Sequence, residues 1–206
     1  MSKRHHRAGP SALDALNQCV RFKYGEMDED AAAEGHALHE AAETGDIAGL
    51  NDDQARDVEQ ALAYAKSLKT GAGTWIDYKE HRVELKDLTY GTADRILINY
   101  EQGILHVADY KFTRVAGDHE FQARTYGAGA YEMMTPEDRK KITKVITTII
   151  APRLNIIETA EYEPEELLTR VRTDIEALYE RIADPWNPPT PCDLCAKCAR
   201  AGGCPA

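Results

Sequence analysis

Apolar residues along this chain recur with two periods, and each change of period marks an element boundary. The stretch SALDALNQCVRF, residues 11–22, predicts a short helix with Ser11 as N-cap and Asp14 as its capping-box partner. Residues 29–43 and 51–68 predict two further helices, the second starting at Asn51 with Ala55, Val58, Leu62 and Ala65 on one face. Strand signals follow at 74–85, 91–98, 104–112 and 142–151. Residues 119–134 predict a helix between the last two strands, although Gly127 and Gly129 weaken the pattern. Pro164 opens a final helix with Leu167, Leu168, Val171, Ile175, Leu178 and Ile182 at helical spacing, and regular structure stops in residues 184–206. This order predicts an α/β (α+β) chain, with a mixed sheet flanked by helices and a cysteine-rich C-terminal tail.

The strand pair GTADRILINYEQGILHVADYKF, residues 91–112, carries acids where its pattern asks for hydrophobes. Asp94, Ile96 and Ile98 share one face of the first strand; Leu105, Val107, Asp109 and Lys111 share one face of the second. Matching the apolar sets places Ile98 opposite Leu105 and Ile96 opposite Val107, and the same register puts Asp94 opposite Asp109. Cross-strand Cβ atoms lie about 4.5–5.5 Å apart, within reach of one shared cation. Two bare carboxylates at the edge of an apolar face repel each other, and their desolvation costs several kcal/mol. A hard cation such as Mg²⁺ or Mn²⁺ removes that cost. The competing reading has both acids facing solvent, with Lys111 as an ion-pair partner.

Composition changes this picture little. The 206 residues are 43% hydrophobic and 29% charged, as in soluble globular proteins, and predict one domain over 1–206, with a core at 11–190 and a tail at 191–206. The chain has no apolar run long enough for a membrane span, and its basic start, MSKRHHRAGPS, has no apolar signal core. A cytoplasmic location without membrane partners is the expectation. A net charge of −10 argues against nonspecific duplex coating but not against a metal-dependent nucleic-acid enzyme. No G-x-x-x-x-G-K-[ST] loop is present, so any helicase function must come from a partner.

Four of five cysteines, Cys192, Cys195, Cys198 and Cys204, fall in PCDLCAKCARAGGCP. Two-residue spacings let thiolates converge on one metal centre, and in a cytosolic protein they point to metal rather than disulfides. Tetrahedral Zn²⁺ and an iron–sulfur cluster both fit this spacing.

GTAD followed by VADYK resembles the central motif of the PD-(D/E)XK nuclease superfamily. EGHALHEAAE, through Gly35, Leu38 and His39, and QARTYG, through Gln122 and Tyr126, resemble motifs of its RecB/AddB-like exonuclease branch, which includes CRISPR-associated and phage members. GPSALDALNQCVRFKY is similar to the N-terminal segment that bears a lone cysteine in the iron–sulfur members. The resemblance implies His39, Asp94, Asp109 and the Tyr110 carbonyl as ligands of a catalytic Mg²⁺ or Mn²⁺. It implies that Lys111 orients water or stabilises developing charge, and that Gln122 and Tyr126 position the lysine or the DNA. Glu80 is a further candidate acid. It also implies a 4Fe–4S cluster on Cys19, Cys195, Cys198 and Cys204, leaving Cys192 surplus or as an alternative ligand.

Without the resemblance, nothing in spacing separates His39 from His36, and Gln122 and Tyr126 read equally as a packing pair. Arg21, Lys23, Arg95, Arg114, Arg124 and the basic run 139–141 are candidates to line a DNA groove. The implied function is a metal-dependent DNA exonuclease acting on single-stranded ends in recombination, repair, phage replication or CRISPR adaptation, beside a helicase, recombinase or adaptation partner. The alternative is a noncatalytic iron–sulfur or zinc protein, either an electron carrier or a DNA-end-binding subunit.

Overall fold

A computed structural model describes residues 8–25 and 29–205, so the basic segment 1–7 lies outside the described residues. The helices are α1 (Pro10–Gln18), α2 (Glu29–Thr44), α3 (Asp52–Ser67), α4 (Glu120–Glu132), the short α5 (Pro136–Arg139) and α6 (Pro164–Ala183). The strands are β1 (Ile76–Leu85), β2 (Thr89–Asn99), β3 (Ile104–Tyr110), β4 (Lys144–Ala151) and β5 (Ile156–Tyr162). They form one sheet in the order β1-β2-β3-β4-β5. β3 and β4 run parallel, joined through α4 and α5, and every other neighbouring pair is antiparallel. The mixed sheet flanked by helices is therefore present.

Each face of the sheet is covered by its own apolar layer. On one side Ile96, Ile98, Leu105, Val107 and Val145 pack with Leu13 of α1, Phe121 and Tyr126 of α4 and Leu167, Val171 and Ile175 of α6. On the other, Ala108, Tyr110 and Ile150 pack with Leu38, Ala41 and Ala42 of α2 and Val58, Ala61 and Ala65 of α3. Burial on both faces explains why β3 is almost continuously apolar while its one acid, Asp109, stands out. No described helix is long and apolar enough to cross a membrane.

Two expectations require correction. Ser11 does not cap α1: the N-cap is Gly9, Pro10 opens the helix, and Asp14 makes no capping box there. The Asp14 carboxylate reaches instead across the fold to the start of α4. β5 carried no recognisable strand signal, because this edge strand keeps most of its residues at least partly exposed and lacks a clear apolar stripe. The two helical glycines have packing reasons. A Cβ on Gly127 would press on Thr147, Val145 and Leu167, and one on Gly129 would lie 2.5 Å from Val83 Cγ1. Their absence of side chain lets α4 lie close on the sheet.

Candidate active site

The observed β2–β3 register pairs Ile98 with Leu105, Ile96 with Val107 and Arg95 with Ala108, so Asp94 and Asp109 occupy the next opposed positions. Both are buried. Asp94 Oδ2 accepts a hydrogen bond from the backbone N–H of Tyr110 (2.5 Å), and its Oδ1 lies 3.1 Å from His39 Nδ1. α2 delivers His39 because Leu38, fully buried, anchors that turn in the core, while His36 points to solvent. The His39 ring stands edge-on to Phe112 at 5.3 Å. Tertiary packing thus separates two histidines that spacing could not.

Across the other side of β2, β1 brings Glu80 opposite Asp94. The ladder pairs Lys79 with Arg95 and His81 with Ala93, flanking this position without inserting a residue. Glu80 has φ +42°, a left-handed backbone that costs a non-glycine residue on the order of 1–2 kcal/mol. Ligand atoms of His39, Glu80 and Asp94 all lie within 4.8 Å of one another.

Asp109, on β3, stands beside Asp94, but its carboxylate turns to Lys111 and Gln122. Lys111 Nζ lies 2.6 Å from Asp109 Oδ2 and donates to Gln122 Oε1 at 2.9 Å, while Gln122 Nε2 donates to Asp109 Oδ1 at 3.3 Å. Asp109 Oδ2 is ion-paired but has no aligned hydrogen bond, leaving buried acceptor capacity. Tyr126 lies one turn beyond Gln122 on α4, buried, with its phenol pushed upward chiefly by burial and then by Asp109. The start of α4 is held by Asp14, whose carboxylate accepts from the N–H groups of Phe121 (2.8 Å) and Gln122 (3.1 Å).

The titrating groups describe a crowded anionic site. Burial, then the neighbouring Asp94, pushes Glu80 up to about 7. Burial also lifts Asp109 to about 6, against the pull of Lys111 and with further push from Asp94. Burial opposes charge on His39 and on Lys111, yet the adjacent carboxylates outweigh it and raise both. Carboxylates forced to keep protons are what a divalent cation relieves, and the donor set of one imidazole and several carboxylate oxygens suits a hard or borderline metal.

The profile of the PD-(D/E)XK nuclease superfamily matches residues 14–205. The chain belongs to that superfamily. Nuclease activity on DNA follows from this membership, and the family's use of divalent metals agrees with the donor set above. A search of curated proteins finds no match. Among solved structures, SSO0001 is similar at 19% identity and TM-score 0.41, with 100% of this chain and 89% of that one covered. A candidate exonuclease from Eubacterium rectale is similar at 16% identity and TM-score 0.42, covering 91% and 78%.

Several cations proposed for a DNA groove have other partners in this nuclease. Arg95 makes a two-pronged pair with Asp77, and Arg124 lies near Glu120 and Asp174. Arg21 donates to the carbonyls of Ile182, Asp184 and Asn187, tying down the start of the tail. Sequence reasoning missed Arg153, which clamps Glu34 of α2 and Asp57 of α3 and donates to the Phe112 carbonyl at 2.9 Å. It also missed His119, which burial and then Lys111 drive down to about 4. No spacing in the sequence announces either.

Proposed function

We propose that this nuclease is a divalent-metal-dependent deoxyribonuclease that degrades DNA from single-stranded ends. The observation that carries this reading is the convergence of His39, Glu80, Asp94, Asp109 and Lys111 beside a recess of about 570 Å³, lined by His39 and Lys111 and walled by α1, α2 and residues 112–119. A recess enclosed on several sides suits a chain end better than the flank of a continuous duplex.

His39, Glu80 and Asp94 would hold the metal, with Asp109 and the Tyr110 carbonyl as further oxygen donors. When bound, it supplies Lewis acidity at the phosphate and a water acidic enough to attack near neutral pH. Lys111 stabilises charge developing on the phosphate oxygens and orients the incoming water. Gln122 holds Lys111 and Asp109 together through one hydrogen bond to each, and Tyr126 buttresses Gln122 from the next turn.

The tail reading extends the proposal to a 4Fe–4S cluster on Cys19, Cys195, Cys198 and Cys204. Support comes from a cavity of about 90 Å³ bordered by all five cysteines, Cys19 arriving from the end of α1. Backbone N–H groups of Lys23 and Arg200 pull the Cys198 thiol down, which favours the ligating thiolate.

End-labelled linear and circular single-stranded DNA, incubated anaerobically with Mg²⁺ or Mn²⁺ and with EDTA, tests the reaction. Linear DNA should be shortened only with metal, and circular DNA spared. Equal cleavage of circles would exclude the requirement for an end. Cys19→Ser should lose iron and visible absorbance while Cys192→Ser keeps both; the reverse pattern would make the cluster local to the tail.

A further inference from the structure

The recess in front of Lys111 has a wall that the catalytic reading does not use. Tyr24 lines it, with 56% of its surface exposed, and its ring stands edge-on to Phe22 at 4.8 Å and 83°. Asp14 and Lys111 line the same recess, so Tyr24 shares its wall with the catalytic side. Leu194 and Lys197 of the tail border the same space, and Arg114 borders it from the loop after β3.

The backbone around Tyr24 is fastened to the tail rather than to the sheet. Tyr24 and Cys198 form an isolated antiparallel bridge; Gly25 N donates to Lys197 O at 3.1 Å, and Ala199 N donates to Lys23 O at 2.9 Å. The residue that would ligate the cluster and the exposed ring are therefore opposite each other on one two-stranded clasp. Acids on the rim have partners: Glu34 is held by Arg153 and lies 3.7 Å from Arg114, Asp14 is held by the start of α4, and Asp118 accepts from the N–H of Glu120. What faces the recess is an aromatic ring accompanied by ammonium and guanidinium groups. That combination recognises single-stranded nucleic acid, whose bases expose π-faces and whose backbone is anionic.

Resting on the nuclease reading above, we propose that Tyr24 is a base-stacking platform for the single-stranded end of the substrate, held at the catalytic recess by its pairing with Cys198. The phosphates run past Lys197 and Arg114 toward Lys111, and an unpaired base lies on the Tyr24 ring. The clasp makes strand grip depend on the cysteine centre, although the centre touches no substrate.

The experiment is fluorescence anisotropy with a labelled oligo-dT and with an abasic oligomer of equal length and charge, in EDTA so that binding is read without cleavage. The holoprotein should bind oligo-dT at least about fivefold more tightly than the abasic strand, the scale of one stacked base. Tyr24→Ala should remove that preference, leaving abasic binding unchanged, and Tyr24→Phe should retain it. Tyr24→Leu, which keeps an apolar contact on Phe22 but no ring, should behave like Tyr24→Ala. In cleavage assays the loss should fall on KM, with kcat held. Equal loss of both ligands, or an intact base preference in Tyr24→Leu, overturns the assignment. If the wild-type chain cleaves DNA while Tyr24→Ala keeps its base preference, the platform is wrong and the nuclease reading stands. If the wild-type chain neither binds nor cleaves DNA, both are wrong.

Discussion

Asp14 joins the first helix to the catalytic helix, and its ionisation should tune the stability of that joint. It is only 7% exposed, and burial pushes its carboxyl from an ordinary 3.8 to about 6, despite two backbone N–H groups that favour the charged form. Between pH 3.8 and about 6 the folded chain holds a proton that the unfolded chain releases, so stability falls as pH rises through this window and is level above it. At about 1.4 kcal/mol per pH unit the full effect is about 3 kcal/mol, of which about 1.5 kcal/mol falls between pH 5 and 8. Asp14→Asn keeps an acceptor without the charge and removes this contribution. Urea unfolding of both holoproteins from pH 5 to pH 8 should show the difference between them shifting by about 1.5 kcal/mol in favour of the variant. Parallel pH profiles would refute the argument. Asp14→Ala leaves the N–H groups of Phe121 and Gln122 without their partner and should cost a further 1–2 kcal/mol or so at pH 5. Because Gln122 sits in the first turn of α4, that variant should also cleave DNA more slowly.

Lys111→Ala strips the buried Asp109 of its ion partner, and cleavage at matched purity should drop by about 10²–10³, with circular dichroism reporting whether the fold persists. Activity within tenfold of wild type would remove Lys111 from the chemistry. Gly129→Ala drives a methyl against Val83 and should lower stability by about 1 kcal/mol after the helix-propensity gain is set against 1–3 kcal/mol of overpacking. Gly35→Ala, with nothing within 4 Å, should instead raise the Tm; the pair is read by thermal melting. Burial holds His106 at about 4, its Nε2 paired with Thr148 Oγ1 at 2.8 Å, so the unfolded chain binds the extra proton between about 4 and 6.5. Stability from this source is full above pH 6.5 and lost by about 3 kcal/mol as pH falls to about 4, a slope that His106→Gln should flatten in urea titrations.

Local chemistry settled the elements and much of the constellation. The 3.6-residue and two-residue periods placed α2, α3, α6 and strands β1 to β4, because burial of one stripe or one face leaves its pattern in the chain. The β2–β3 register followed from matching apolar faces, since a slip of one residue would turn every hydrophobe outward. That register set Asp94 against Asp109, with Lys111 two residues on. Packing decided what no local pattern encodes. It chose His39 over His36 by seating Leu38, set Glu80 opposite Asp94 through the β1 pairing, and turned the Asp109 carboxylate toward Lys111 and Gln122. It moved Asp14 from capping its own helix to capping α4, 107 residues away. It likewise brought Cys19 to the tail cysteines and fastened Tyr24 to Cys198. These contacts join residues far apart in sequence, where hydrogen-bond geometry, desolvation and steric fit act only once the chain has folded. Periodicity records which face is buried; it carries no record of which distant group that face will meet.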